Sequence, residues 1–280
     1  MSKKTVAVIG AIAFVGVLCA SVYVASNSIE DKAHSGLENI EHSFAHVLVS
    51  NNMVLKACIS PPGKPSCETL NLPPVSPTIR TMGSGAVVAH GMNTTYVITA
   101  GHVCTFDAPT TTTKNGYVFL VEPRVDIKVQ DFWGNMHATT VVAVDHQNDI
   151  CILRSRGIWS KPLPVAKSMP KPGEMVTTIA APRGMFHPGM VLRFDGRYVG
   201  VDSHGHAFFT TPTAPGSSGS VILNSKGQIV CVIHSAMRRF ENVGLGSQIE
   251  DVIELLRLNV SNVSSAITPS GYLGTFKELP

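Results

Sequence analysis

Thr213-Ala214-Pro215-Gly216-Ser217-Ser218-Gly219-Ser220 sets serines among glycines. Read alone, the stretch is turn chemistry, because Gly and Ser both favour tight loops. Two upstream stretches change that reading. Thr99-Ala100-Gly101-His102-Val103 ends an apolar run on a histidine, and Asn148-Asp149-Ile150-Cys151-Ile152-Leu153 opens one on an aspartate. A serine hydroxyl is a weak nucleophile near neutral pH unless a base takes its proton during attack. Histidine suits that task because its pKa lies near the working pH. A carboxylate on the far ring nitrogen fixes the tautomer and stabilises the imidazolium. His102, Asp149 and Ser218 therefore form the candidate catalytic set, 47 and 69 residues apart, so only the fold can unite them. Asp145, closing the preceding strand, is the rival acid. Glycines beside the serine let the Gly216 and Ser218 amides point at a developing oxyanion.

Outward from these motifs the chain reads as all-β. From about Thr78, short β-branched runs alternate with Gly, Pro and Asn, among them GAVVAH, TTYVITA, ICILRS, EMVTTIAA, SVILN and QIVCVIH. Many short strands joined by turns predict a sandwich or barrel. Two clusters are parted by Trp159–Pro164 and Met169–Gly173, which mark a hinge between two β halves. Residues 248–258 (QIEDVIELLRL) predict a short C-terminal helix with Ile249, Val252, Ile253 and Leu256 on its apolar face. Residues 259–280 read as a polar tail.

The N-terminal part has a different texture. Residues 5–25 are uncharged and almost wholly apolar, long enough to span a bilayer core. Lys3 and Lys4 precede the run and no positive excess follows it, which places the N-terminus in the cytoplasm and the remainder across the membrane. A signal peptide cleaved near Ala25 is the alternative. Ala33, Leu37, Ile40, Phe44 and Val47 then recur at helical spacing and predict a stalk helix over 29–49, with His34, His42 and His46 exposed. Prolines between 61 and 77 predict an irregular linker. The expected organisation is an anchor over 1–26, a stalk and linker over 27–77 and a β domain over 78–258. Within that domain the halves fall at 78–158 and 165–246, with the helix over 247–258.

Charge and cysteines narrow the classes. Net charge is +3 without a dense basic run, which argues against nucleic acid as a partner. The six cysteines show no metal-ligand spacing, so no zinc site is expected. Cys58 and Cys67 bracket a turn-rich loop that a disulfide could close in an exported compartment. Cys104 and Cys151 each stand two residues after a candidate catalytic residue, either as a bridge or as buried thiols.

Taken together, these motifs resemble the chymotrypsin-like (trypsin-fold) serine proteases, and most the bacterial Deg-type and glutamyl-endopeptidase branches. Met82-Gly83-Ser84-Gly85-Ala86-Val87-Val88 is similar to their opening strand, and Tyr96–Val103 to their histidine motif. Asp149–Leu153 resembles the aspartate strand, Lys171–Val176 with Ala181–Gly184 the start of the second barrel, and Pro215–Ser220 the nucleophile loop. The resemblance implies two antiparallel six-stranded β-barrels with the triad between them. It also implies endopeptidase action on protein or peptide substrates through an acyl-enzyme, with no metal or cofactor. Ser217 stands where trypsins proper carry an aspartate, and no Ile-Val-Gly-Gly terminus exists, so activation by trypsinogen-style cleavage is not expected. Thr213 and His234 occupy positions similar to the pair that binds a Glu or Gln side chain in the glutamyl branch. His234 falls one residue late, however, and a one-residue slip turns a strand side chain to the other face. An ordinary strand histidine is the competing reading.

Two other classes were weighed. An α/β-hydrolase would need the order Ser, acid, His and a helix after the serine, and this chain has neither. A catalytically silent protease-like binding domain would have no reason to keep all three chemical residues.

Overall fold

The computed structural model describes residues 37–59, 66–69, 79–106, 110–114, 117–157, 159–237 and 240–260. The first half contains β1 (Phe44–Ile59), β2 (Ser66–Thr69), β3 (Ile79–Gly91), β4 (Thr94–Ala100), α1 (Gly101–Cys104), β5 (Thr110–Lys114), β6 (Tyr117–Asp131), β7 (Met136–Asp145) and β8 (Ile150–Arg156). The order β1-β3-β4-β8-β7-β6 is closed by a long antiparallel β1–β6 pairing, so six strands form a barrel with β2 and β5 outside the ring. The second half contains β9 (Met175–Ala180), β10 (Phe186–His187), β11 (Met190–Val201), β12 (Ala207–Phe209), β13 (Val221–Asn224), β14 (Ile229–Met237) and β15 (Phe240–Ser247). Its ring β11-β12-β15-β14-β13-β9 closes through β11–β9. The protein is thus all-β with two closed six-stranded antiparallel barrels, followed by α2 (Ile249–Asn259).

The apolar runs explain where the barrels meet. A half-buried strand alternates polar and apolar residues, whereas β3, β4 and β8 carry continuous apolar stretches. Val87, Val97, Cys151 and Leu153 point into the first barrel's core. Their neighbours Ala86, Val88, Ile98, Ile150 and Ile152 join a second cluster that includes Val176, Ile179, Phe209 and Val221 of the other barrel. These strands are therefore buried on both faces, with burial of each Val or Ile worth about 1.5–3 kcal/mol. His102 and Asp149 lie at the ends of two of them, so the apolar seam fixes where the polar residues emerge.

The N-terminal expectation is corrected. Ile40–Ser43 is a 3-10 turn and Phe44–Ile59 is a strand of the first barrel, not part of a helix over 29–49. The β domain therefore starts well before residue 78. Val47 fits both the helical stripe and a period of two; Ala45, Val47 and Val49 enter the barrel core on the latter. With β3 on one side and β6 on the other, the N–H and C=O groups of 45–51, which alternate between the two sides, all find partners in the barrel. His46 is correspondingly buried rather than exposed, and His42 is half-buried. His34, the apolar run at 5–25, most of the proline-rich linker and the tail from 261 lie outside the described residues. Among the described residues no helix is long and apolar enough to cross a membrane.

The inter-barrel segment is held at several points. Ser43 Oγ donates to Lys161 O at 2.6 Å, and Ser160 Oγ donates to His42 O. Leu163 N donates to Val87 O in the first barrel, and Ala166 N to Ile229 O in the second.

Candidate active site

Ala100 ends β4, and the chain turns at once into α1, which presents His102. Asp149 sits just before β8 in the left-handed region, at φ 53°. Aspartate is among the few residues that tolerate this conformation, because its short side chain can bond locally. The Asp149 carboxylate accepts the His102 amide at 2.6 Å through Oδ1 and pairs with ring Nδ1 at 2.7 Å through Oδ2. That approach requires glycine at 101, where a Cβ would stand 2.9 Å from Asp149 Oδ1. Asp145, the rival acid, has another task. It accepts the Gln147 and Asn148 amides and the Asn148 side chain, building the turn that delivers Asp149. Cys104 and Cys151 form a disulfide, settling the alternative left open by the sequence and tying α1 to β8 just behind the pair.

Burial alone would raise the Asp149 carboxyl. The side-chain and backbone hydrogen bonds from His102, with the charges of His102 and His234, more than reverse this and hold it below its ordinary value. It is therefore ionised at neutral pH and able to orient the imidazole and stabilise its protonated form.

The nucleophile loop packs against the same corner. Ser218 O accepts the Ser84 amide at 2.7 Å, and Gly219 N donates to Ile233 O at 2.6 Å. At Gly219, with φ 87°, a Cβ would lie 2.1 Å from Thr99 Oγ1 and 2.7 Å from Ala100 N. Close contact at this glycine thus seats the residue after Ser218 against the end of β4, two residues before His102. Among the described hydrogen bonds none joins the half-buried Ser218 hydroxyl to the ring of His102. Such contacts commonly tighten only when substrate binds.

Gly216 has φ 97°, and the carbonyls on either side of its amide are engaged elsewhere. Pro215 O accepts Arg183 N at 2.5 Å, and Gly216 O accepts Ser84 Oγ at 2.8 Å. Among the described residues neither the Gly216 nor the Ser218 amide has a backbone acceptor, which leaves both as donors for an oxyanion. Ser84, Thr99 and Arg183 were not singled out from sequence. Thr99 is a buried polar residue in an apolar run, a signal that marks hydrogen-bonding hubs, whereas Ser84 lies between two glycines and carries no such signal.

Thr213 is buried, and its hydroxyl donates to Thr211 O at 3.2 Å. The same Oγ1 stands 2.6 Å from where a Cβ of Gly244 would be, and Gly244 pairs with Ala236, two residues after His234. His234 occupies a β-bulge, since Ile233 and Ser235 pair with the adjacent residues Gly246 and Leu245. A second register shift falls near Val230. Bulges re-aim side chains without an added turn residue, so ungapped counting along this strand misjudges its faces. Burial lowers the His234 imidazole, attraction to Asp149 opposes this, and His206 and His102 add to the lowering. Its ring meets His206 edge-on at 5.7 Å, and His206 Nδ1 pairs with Asp202 Oδ2 at 3.2 Å. His206, in the turn between β11 and β12, thus backs His234.

Comparison with known proteins follows the same lines. The family described as trypsin-like peptidase domain matches residues 83–232. Among solved structures, the serine endoprotease from Yersinia pestis superposes with a TM-score of 0.55 at 14% identity, over 81% of this chain and 65% of that one. This chain therefore spans less than two thirds of the Yersinia protein. A protease from M. tuberculosis, in its active form, gives 0.53 at 17% identity, over 85% and 87%. At such identities the likeness is one of fold. No curated protein matches the chain in sequence. The family match covers more than half of the chain and takes in strands of both barrels, and the chain belongs to the trypsin-like peptidases, a family of serine endopeptidases.

Proposed function

We propose that the protein is a membrane-tethered serine endopeptidase in which His102, Asp149 and Ser218 act as the triad. The two-point grip of Asp149 on His102, beside the loop that carries Ser218, is the observation that supports this reading most. His102 Nε2 takes the Ser218 proton as Oγ attacks the scissile carbonyl, and the Gly216 and Ser218 amides bind the oxygen that becomes negative. The proton passes to the leaving amine, the C–N bond breaks, and an acyl ester remains on Ser218. Water, deprotonated by His102, then releases the acid. The expected result is labelling by a fluorophosphonate that disappears in Ser218→Ala. An unlabelled, folded wild type would instead favour a silent binding domain.

Thr213 and His234 form the first specificity pocket and favour Glu or Gln before the cleaved bond. With Ser235 Oγ 3.0 Å from His234 Nδ1, Nε2 is left to donate to a side-chain carbonyl oxygen. The depressed pKa keeps that ring neutral at pH 7. A peptide library cleaved with Glu or Gln at that position, and a His234→Ala variant that loses the preference, supports the pocket; an aliphatic preference removes it. Residues 5–25 hold the enzyme in the membrane with the barrels on the non-cytoplasmic side. Resistance of the full chain to alkaline extraction, lost on deleting 5–25, is the corresponding test.

A further inference from the structure

Resting on the triad reading above, the geometry assigns to Ser84 a role as positioning residue for the oxyanion hole. Ser84 is wholly buried in β3 and every polar group it has is engaged. Its hydroxyl donates to Gly216 O at 2.8 Å and accepts the Ala181 amide at 3.0 Å. Its own amide donates to Ser218 O at 2.7 Å, and its carbonyl accepts Thr99 Oγ1 at 2.7 Å.

The consequence lies in which peptide units these bonds hold. The Ser218 amide belongs to the peptide joining Ser217 and Ser218. The unit before it carries the Gly216 carbonyl and the unit after it carries the Ser218 carbonyl. Both carbonyls end on Ser84, so the donor unit is fixed from each side by one residue. The second donor, the Gly216 amide, belongs to the unit that carries the Pro215 carbonyl, which the Arg183 amide holds at 2.5 Å. Arg183 stands in the turn after Ala181, whose amide binds the Ser84 hydroxyl, and it adopts φ 53° there. A Cβ on Gly216 would lie 2.6 Å from Ala181 O, so the turn and the loop are in direct contact. Glycine is the residue at which a peptide unit rotates most freely. The Ser217 amide, in the same unit as the Gly216 carbonyl, donates to Ala214 O at 2.8 Å. Without the Ser84 hydroxyl that bond is the unit's remaining described anchor, so the unit tilts about Gly216 and the amides converge less closely on one point.

The prediction is a catalytic loss without a binding loss. In Ser84→Ala, kcat per titrated active site falls about 10- to 100-fold, less than the direct loss of a donor, while KM for a peptide substrate changes less than about 3-fold. Affinity for a peptide boronic acid, whose tetrahedral adduct uses the hole, falls by the same factor as kcat/KM. Affinity for the product peptide, which does not, stays unchanged. A merely structural serine would lower the titratable fraction and leave kcat per site alone, and that outcome overturns the assignment. Ser84→Cys keeps the size of the side chain with a weaker donor. It serves if the alanine variant does not fold, and wild-type kcat with wild-type boronate affinity there also overturns the assignment. A wild type unreactive to fluorophosphonate defeats the triad reading itself, and is distinguished by failing before any variant is compared.

Discussion

The Asp149 carboxylate accepts two hydrogen bonds from one residue, whereas the Asp145 carboxylate accepts three from the turn between them. Two acids four residues apart thus divide the hold on His102 from construction of the loop, and substitution separates the tasks. In Asp149→Asn the amide favours the wrong imidazole tautomer, so kcat falls by about four orders of magnitude with little loss of stability. In Asp145→Ala the turn loses its acceptor, so stability falls by about 1–3 kcal/mol, and kcat falls far less. Kinetics and urea denaturation on the two variants check this; equal kcat losses would reverse the assignment. The choice of Asp149 was legible because an apolar run follows it. Ser84 was not legible, because a serine between two glycines reads as loop chemistry until its four partners, Thr99, Ala181, Gly216 and Ser218, are known. The tilt of His234 was equally hidden, since a bulge has no fixed sequence signature.

At the scale of elements, the least legible piece was β1. Its first residues carry apolar side chains at spacings that satisfy a helix and a strand together, and local propensity does not choose between them. The choice is made by partners: β3 and β6 offer two free edges, and β1 is the strand that closes the barrel. In contrast, α2 was legible because it meets only one apolar surface, and Ile249, Val252 and Leu256 are buried as its periodicity requires. A chain begun at residue 78, where the β texture becomes obvious, should therefore not fold. It lacks the strand that completes the ring and the buried Phe44, Ala45, Val47 and Val49. A chain begun at Leu37 should fold and show a cooperative thermal transition, because it restores β1 and keeps Leu37 and Ile40 in the apolar cluster. Circular dichroism melting of both chains decides the matter. A cooperative transition in the shorter one would mean that β1 is dispensable and the barrel closes without it.

For the molecule as a whole, one imidazole, His46, is buried among the described residues and that of His234 is half-buried, and this sets how stability responds to acid. His46 packs against Phe186 at 5.3 Å, and burial lowers its pKa from 6.5. Gln130 offsets this only in part, and no well-formed hydrogen bond reaches either ring nitrogen. His234 is lowered in the same direction. When the folded value lies below the unfolded one, the unfolded chain binds more protons in the interval, so folding stability rises with pH there. The contribution of both histidines is thus complete above 6.5 and is lost as pH falls through their folded values. Its slope is no steeper than about 1.4 kcal/mol per pH unit for each imidazole. The carboxylates act lower. Burial opposes ionisation of Asp131, Asp145 and Asp149, yet hydrogen bonds hold each below 3.8, so their contribution survives until the pH falls below that value. Asp251, raised by burial and by Asp145, works in the opposite sense and offsets a part. Urea midpoints should therefore be flat from pH 8 to 7 and decline as the pH falls below 6.5, before any carboxylate in the site titrates. His46→Phe keeps an aromatic ring beside Phe186 and removes one proton, so its decline there should be shallower than that of the wild type. Parallel declines would assign the acid response to groups other than His46.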